Sequence, residues 1–466
     1  MAEADDLLEQ GKKLFADAEE AETDNRTASL ADIQFAREGK QWPEHIVAER
    51  NRERRPMLTI NKLPTFIRQV VNDARQNKPG ISVHPADSNA DPETAEVIAG
   101  LIRNIETTSN ADVAYDTATE CAVQGGIGYL RVGLDYAYED SFEMDLSIKR
   151  VSNPFSVYGD PNSVEADSSD WMDSFVVERL TERQFKAKWK NKAKTNWDDA
   201  DAWGEGSWRE ADEVMVAEWW HRTEEDIEVQ QFMDLRSNSL VSFTAKDLAE
   251  DEDLQLLAQA GVLEFKRKRT SKSYKVKQQF MSGAEVLETR DWPGCYIPII
   301  PVYGEEFDVK GKRYFRGLIH NAIDAQRMFN YWRTTATELV ALAPRVPYIG
   351  PKGAFDSDPR WETANSESHP FMEYDVKGTG GPPQRQPLDS GVAAGALQEA
   401  LNASDDMKAV IGMYDASLGA RSNETSGKAI MARQREGDVS TFHFIDNMSR
   451  AIRHTGRVLI DLIPHV

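Results

Sequence analysis

Between Leu318 and Ala343 the apolar residues fall at Leu318, Ala322, Ala325, Phe329, Trp332, Ala336, Leu339 and Ala343, alternating steps of four and three. That repeat describes a narrow seam on an α-helix, and a seam is stable only when a second helix packs along it. At about 1.5 Å per residue a helix over Arg316–Ala343 runs about 40 Å, longer than the usual helix. Pro344 and Pro347 end it. A proline- and glycine-rich excursion follows to Pro387, with scattered aromatics Tyr348, Phe355, Trp361, Phe371 and Tyr374, and it returns through Gly378–Pro383. A second helix then carries Val392, Ala396, Ala400, Ala403, Met407, Val410 and Tyr414 on one side. Two long helices bracketing a small lobe place that lobe at the end of a hairpin-like shaft. After a polar break at Leu418–Thr425 comes a last helical pattern: Ile430, Gln434, Gly437, Thr441, Phe444, Met448, Ile452, Thr455, Leu459 and Leu462.

Upstream the character is mixed, which makes the chain α+β. Met1–Asp24 holds nine acids against Lys12 and Lys13 and reads as an exposed, partly frayed helix. A basic, proline-ended segment, Arg50–Pro56, precedes a helix with Leu63, Phe66, Ile67, Val70, Val71 and Ala74 on one face, stopped by Pro79-Gly80. Asp91-Pro92 opens another helix, with Asp91 as cap and Ala95, Ile98, Ile102 and Ile105 on one face. Tyr129–Tyr138 and Phe142–Val151 read as a hairpin, and Phe175–Glu178 and Val214–Trp220 as further strands. Thr181 caps a helix to Lys194. The segment Phe265–Phe280, with seven Lys and Arg residues, pairs through Ser282-Gly283 with Ala284–Thr289 and reads as a solvated edge. There is no internal repeat.

Charge limits what such a shaft does. The 466 residues carry 55 Lys and Arg against 78 Asp and Glu, a formal charge of −23, which repels a polyanion at long range. A DNA clamp is disfavoured, whereas a passage through which DNA must slide without sticking wants this sign. Cys121 and Cys295 stand in no disulfide-framework or zinc spacing and suit a reducing cytoplasm. With acids in Met1–Gln10, a mean hydropathy of −0.57 and no apolar run of membrane length, the sequence reads as soluble and unexported.

A search for chemistry leaves no catalytic, cofactor or metal residue to name. Gly419–Ala429 has the wrong spacing for a phosphate loop, and Ala429 stands where a Ser or Thr must follow Lys428; Ser422, Asn423, Thr425 and Ser426 are helix-capping types. Gly125–Gly128 precedes a strand, so it fails as a dinucleotide fingerprint. The acids Asp160, Glu165, Asp167, Asp170 and Asp173 lack the glycine and final glutamate of a calcium loop and read as a solvated loop. No His pair brackets an acid at metalloprotease spacing, and there is no Gly-x-Ser-x-Gly elbow. Arg450, Arg453, His454 and Arg457 share one face of the last helix, a face that bridges to acidic neighbours.

Six short segments, in order, give this plan a relative. They are Arg54-Arg55-Pro56 with Thr59–Leu63; Asn72–Pro79; Asn153–Pro161; Asp324–Arg327 with Asn330; Ser422–Ile430; and Phe444–Asn447. Together they resemble the portal proteins of short-tailed double-stranded DNA bacteriophages. The resemblance implies a wing over residues 1–315, a stem helix 316–343, a clip 344–388, a second stem helix 389–412, a tunnel loop 413–426 and a long helix 427–466. It implies a ring, dodecameric in that family, at one capsid vertex of the virion, assembled in the host cytoplasm. Double-stranded DNA enters and leaves through it, driven in by a separate terminase, with a tail adaptor, the major capsid protein and scaffold protein as further partners and no membrane or cofactor. Carried over to this sequence, Arg421, Asn423, Glu424 and Lys428 face DNA. Leu318, Ala325, Phe329, Trp332 and Leu339 line the subunit contact, and Trp361, Phe371 and Tyr374 dock the tail adaptor. Family members normally continue past Ile463–Val466 into a crown, so the sequence reads as truncated or unusually short. The competing readings are a packaging-associated ATPase or nuclease, against which the missing phosphate loop stands, and another capsid or tail connector ring.

Overall fold

The computed structural model of the chain describes residues 2–85, 91–190, 209–210, 213–236, 239–342, 347–364, 369–375, 381–385, 390–413 and 441–466. Its first element, α1 (Ala2–Ile33), is not the frayed, exposed helix its acidity suggests. Leu8, Gly11, Phe15 and Ala18 repeat at steps of three and four, so one stripe is apolar although the rest is acidic. That stripe lies on a β-sheet: Phe15 stands edge-on to Tyr158 at 4.9 Å and to Phe175 at 5.3 Å. Gly11 lets the Trp219 indole come so near that a Cβ there would meet it at 2.9 Å.

The helices α2 (Glu44–Glu53), α3 (Leu63–Gln76), α4 (Pro92–Thr108) and α5 (Ala111–Gly125) follow. Helix α3 buries Leu63, Phe66, Ile67, Val70 and Val71, the face its periodicity predicts. Helix α4 begins as its sequence predicts, with the Asp91 carboxylate accepting from the Glu93 and Thr94 N–H groups. Helix α5 stops at Gly126 (φ 90°), where a side chain would strike the Arg316 backbone at 2.7 Å.

Strands β1 (Ile127–Tyr136) and β2 (Met144–Arg150) form the expected hairpin, in register from Leu130↔Arg150 to Tyr136↔Met144. Next come β3 (Val157–Tyr158), β4 (Asp173–Thr181), the short helix α6 (Glu182–Lys188) behind its Thr181 capping box, β5 (Arg209–Glu210), β6 (Glu213–Asp234) and β7 (Ser239–Thr244). Helices α7 (Ala245–Glu250) and α8 (Glu252–Gln259), then strands β8 (Leu263–Met281), β9 (Val286–Trp292), β10 (Ile299–Tyr303), β11 (Glu305–Val309) and β12 (Lys312–Arg316), complete this half. Two main sheets result, all antiparallel: β10-β1-β2, and a seven-stranded one in the order β3-β4-β6-β8-β9 with β5 and β7 paired to β6.

The basic stretch of β8 is the edge its sequence predicts, paired on one side only from Leu263 to Lys275. β8 pairs with β6 over nearly its whole length and with β9 over Val276–Met281. Its charges are accommodated on the faces: Lys268 pairs with Glu228 and Lys275 with Glu225, both at 2.7 Å, and Lys272 pairs with Glu224. The acidic loop 160–173 is likewise tied down. Asp170 accepts from the Ser163 hydroxyl and from the Val164 and Glu165 N–H groups, and Asp160 accepts from the Asn162 and Met172 N–H groups. These carboxylates serve as caps of turns. Among the described residues no group of three or more His, Cys, Asp or Glu is placed to hold a metal ion, and no helix is long and apolar enough to cross a membrane.

The remaining elements are α9 (Leu318–Leu342), β13 (Tyr348–Ile349), α10 (Arg360–Thr363), β14 (Gln384–Arg385), α11 (Ser390–Ile411) and α12 (Phe442–Leu462). Helix α12 buries Phe444, Met448, Ile452, Thr455, Leu459 and Leu462, as its repeat predicts; Ile430, Gln434 and Gly437 lie outside the described residues. Its basic face is less uniform than expected. Arg457 reaches Asp167 at 2.7 Å and Arg450 pairs with Asp446 at 2.5 Å, whereas His454 is buried, edge-on to Tyr296. Burial pushes the His454 pKa down to about 4. The unfolded chain takes up this proton near pH 6.5, so stability falls as pH drops from about 6.5 to about 4. His454→Leu should flatten that part of the urea-midpoint profile, by on the order of 2–3 kcal/mol between pH 7 and 4.

Candidate functional site: a helix pair, its anchor and its lobe

Helix α9 carries two rows of side chains, and the sequence seam is only one of them. The second row is polar, Gln326, Asn330, Thr334 and Glu338, at steps of four. Four helical residues rise about 6.0 Å, and two residues of an extended chain about 6.6 Å. An extended segment laid along such a row therefore meets a new side chain with every second N–H. Residues 55–62 do this. The Leu58 N–H donates to Thr334 Oγ1 at 3.1 Å, the Ile60 N–H to Asn330 Oδ1 at 2.9 Å, and the Lys62 N–H to Gln326 Oε1 at 3.0 Å. Gln326 Nε2 returns a bond to the Ile60 carbonyl, and Asn330 Nδ2 donates to Gln41 Oε1 at 2.6 Å. Gln326, Asn330 and Thr334 are all buried, where an unbonded amide or hydroxyl costs about 1–3 kcal/mol.

Glu338 closes the row. Arg55 donates to one of its oxygens at 2.5 Å and Arg50 to the other at 3.3 Å. Hydrogen bonding to Arg55, with the second guanidinium beside it, holds the Glu338 carboxyl below the usual range. Two of the segments that carried the family resemblance, Arg54–Leu63 and Asp324–Asn330, are thus the two sides of one ladder.

The apolar row faces the chain's own helices. Leu318, Ala322, Phe329 and Ala336 are buried, and Ala325, Trp332 and Leu339 are half-buried. Leu318, Ala322 and Phe329 share a cluster with Ala400, Ala403, Met407 and Ile411 of α11 and with Phe66, Ile67 and Val70 of α3. The second helix that the seam requires is present in the same chain. Leu318 and Phe329, expected at the subunit contact, are covered by it, because small side chains on α11 at steps of four and three let the two helices approach closely. That row ends in Ile411, while Val410 is half exposed. Lys62 tightens the junction, donating to Ser404 Oγ at 2.7 Å with its ammonium 4.0 Å over the Phe329 ring. What remains exposed is the outer side, with Met328 and Tyr331 on α9 and Leu397 and Leu401 on α11.

Between the two helices the described residues form a small lobe. Its β13–β14 pair joins Tyr348 to Arg385 and Ile349 to Gln384. Trp361 sits at its centre, with the Tyr348 and Phe355 rings each at 5.0 Å and its indole N–H donating to the Glu373 carbonyl at 2.6 Å. Expected as an exposed anchor, it is half-buried, with part of its ring covered by its neighbours in the lobe. Asp358 is buried, and the Arg360 guanidinium and the Glu373 N–H hold its carboxyl well below the usual range. Phe371, 61 % exposed, lies 4.2 Å under the Arg360 guanidinium, and Tyr374 is also exposed. Arg421, Asn423, Glu424 and Lys428 lie outside the described residues.

The model of the phage P22-like portal protein family matches residues 12–466. The chain belongs to that family. A portal protein of Acyrthosiphon pisum secondary endosymbiont phage 1 is 26% identical over 482 residues, covering 98% of this chain and 66% of that protein. This portal-family chain thus spans about two thirds of the length of that relative. Its polar row was missed at the level of sequence because only the apolar repeat was followed; the signal was there, as four hydrogen-bonding side chains at steps of four beside the seam.

Glu338→Gln should destabilise the chain by about 1.5–3 kcal/mol, chiefly by leaving the Arg50 guanidinium short of its charged partner. Because the carboxyl titrates low in the folded state, the wild-type advantage is complete above about pH 4.5 and disappears as pH falls below it. Urea unfolding of both chains at pH 7 and at pH 3 reads the difference.

Proposed function

We propose that the chain is the portal, or head-to-tail connector, of a tailed phage: copies form a ring, twelve by family analogy, at one capsid vertex, and DNA is packaged and released through it. The reading is supported by the helices α9 and α11, packed on each other around an aromatic lobe, in a chain of the phage P22-like portal family. On this reading residues 1–315 are the wing, 316–343 and 389–412 the stem, 344–388 the clip and 413–426 the tunnel loop, with 427–466 leading towards a crown. The work is mechanical, with no catalytic step assigned to the chain. Terminase would dock on the ring from outside, and capsid and scaffold proteins would surround it.

The seam is occupied within each copy, so the stem contact between copies falls to the exposed outer residues Met328, Tyr331, Leu397 and Leu401. A net charge of −23 suits the channel, because every cation set against a phosphate adds salt-dependent affinity. Arg421, Asn423, Glu424 and Lys428 remain the candidates to meet DNA. In the clip, Phe371 and Tyr374 are the anchors for a tail adaptor, and Trp361 holds the lobe together through Tyr348 and Phe355.

Electron micrographs of the purified chain at high concentration should show rings; monomers and dimers alone would refute the reading. Arg421→Ala or Lys428→Ala should leave ring formation intact while altering DNA packaging or retention. Phe371→Ala should weaken tail attachment with the ring unaffected, whereas Trp361→Ala should lower the melting temperature, which separates the anchor from its support.

A further inference from the structure

Two surface features carry chemistry that the chain does not use internally. The first is the tip of the β1–β2 hairpin. It is a defined turn: the Ala137 N–H donates to the Glu143 carbonyl and the Glu143 N–H to Ser141 Oγ, both at 2.9 Å. On it Phe142 is 95 % exposed and Tyr138 71 %. The stretch Asp135–Asp145 holds five acids and no base. Asp135 pairs with Lys149; Glu139, Asp140 and Glu143 are exposed, with no basic partner among the described residues. Aromatic rings held out on an ordered turn, rimmed by uncompensated acids, have the composition of a docking element.

The second is one face of the ribbon formed by β6 and β8. Side chains alternate between its two faces. One face carries the Lys268–Glu228 and Lys272–Glu224 pairs, so its charges cancel. On the other, Arg267 and Arg269 stand across from Gln231 and Val229, with Ile227 opposite Ser271. Arg267 donates to Gln231 Oε1 at 2.8 Å, and Arg269 has no acid partner among the described residues. Both arginines are exposed, and Ile227 and Val229 are partly so. In a chain of net charge −23, this is a cationic patch with an apolar floor.

We propose that the hairpin tip of one copy docks on the Arg267–Arg269 face of the neighbouring copy. Guanidinium groups bind carboxylates in forked pairs and stack on aromatic rings, and the tip offers both. Phe142 and Tyr138 would cover Ile227 and Val229. Because the two patches differ, each copy uses both, and the contact is head-to-tail, the type that closes into a ring. The inference rests on the ring-forming reading above and specifies a wing contact that the helix pair does not supply.

The test uses the full chain and mass photometry, with three variants: Glu139→Lys/Glu143→Lys, Arg267→Glu/Arg269→Glu, and all four together. Each half-variant should raise the concentration needed for ring assembly at least about tenfold, and the fourfold variant should recover most of it, since opposite charges again face each other. Unchanged melting temperatures will show that the exposed substitutions leave the fold intact. Wild-type rings with indifferent half-variants, or no recovery in the fourfold variant, overturn the contact alone; a wild-type chain that never assembles overturns the ring reading with it. Rings that form normally from the Arg267→Glu/Arg269→Glu chain while DNA binding falls would assign that face to nucleic acid instead. As a second readout, Phe142→Cys combined with Ile227→Cys should give an intermolecular disulfide in the ring, and its absence from assembled rings counts against the contact.

Discussion

The near-match between two residues of extended chain and four of helix is what ties the two halves of this molecule together. It lets residues 58–62 hand three N–H groups in succession to Thr334, Asn330 and Gln326. The segment so held leads directly into α3, whose Phe66, Ile67 and Val70 sit in the same cluster as the seam of α9 and the alanine row of α11. Without the ladder, α9 would hold its place by side-chain packing alone, and a seam of alanines and a few large residues tolerates sliding by a turn. Hydrogen bonds to fixed backbone groups do not. The polar row therefore sets the register of the helix, while the apolar row supplies the greater part of the burial.

Much of this was legible from residue patterns, and what was missed has a physical pattern of its own. The long helices at 318–342, 390–411 and 442–462, the β1–β2 hairpin and the Asp91 and Thr181 caps follow from periodicities and capping chemistry that act within a few residues. What failed was the prediction of what lies across from an element. Acid content made α1 look exposed, although Leu8, Phe15 and Ala18 form a buried stripe. Lysine content marked the edge stretch of β8, but not that acids on β6 stand beside its bases. In each case composition averages over faces that the fold separates. The surroundings of Trp361 were equally illegible, because an aromatic residue in a proline-rich excursion has the same local signature whether it stands free or packs on its neighbours.

The acidity of the chain divides in the same way. A large share of its carboxylates are engaged: Asp160 and Asp170 cap turns, Glu338 and Glu218 receive arginines, and Asp173 accepts from the Trp219 indole at 2.8 Å. These acids say nothing about DNA. The surplus that does bear on a polyanion sits on outward faces such as that of α1 and at the β1–β2 tip. Net charge thus states the sign of the long-range field, and only the placement of the unpaired groups states where that field has work to do.

The internal closure of the seam also changes how a ring can be built from such subunits. Had α9 offered its apolar row to a neighbour, folding and assembly would be one event, with no stable single copy. Because α11 and α3 cover that row, its burial is complete within a single copy. The surfaces that stay exposed are smaller and mixed: Tyr331 and Met328 on α9, Leu397 and Leu401 on α11, and the charged patches of the strand region. Contacts of that kind are individually modest and gain strength by closing a circle, in which every copy is held from two sides. If copies form the ring proposed above, its contacts can rearrange without exposing the core of any one copy, as a passage that admits, holds and releases a stiff polymer would require.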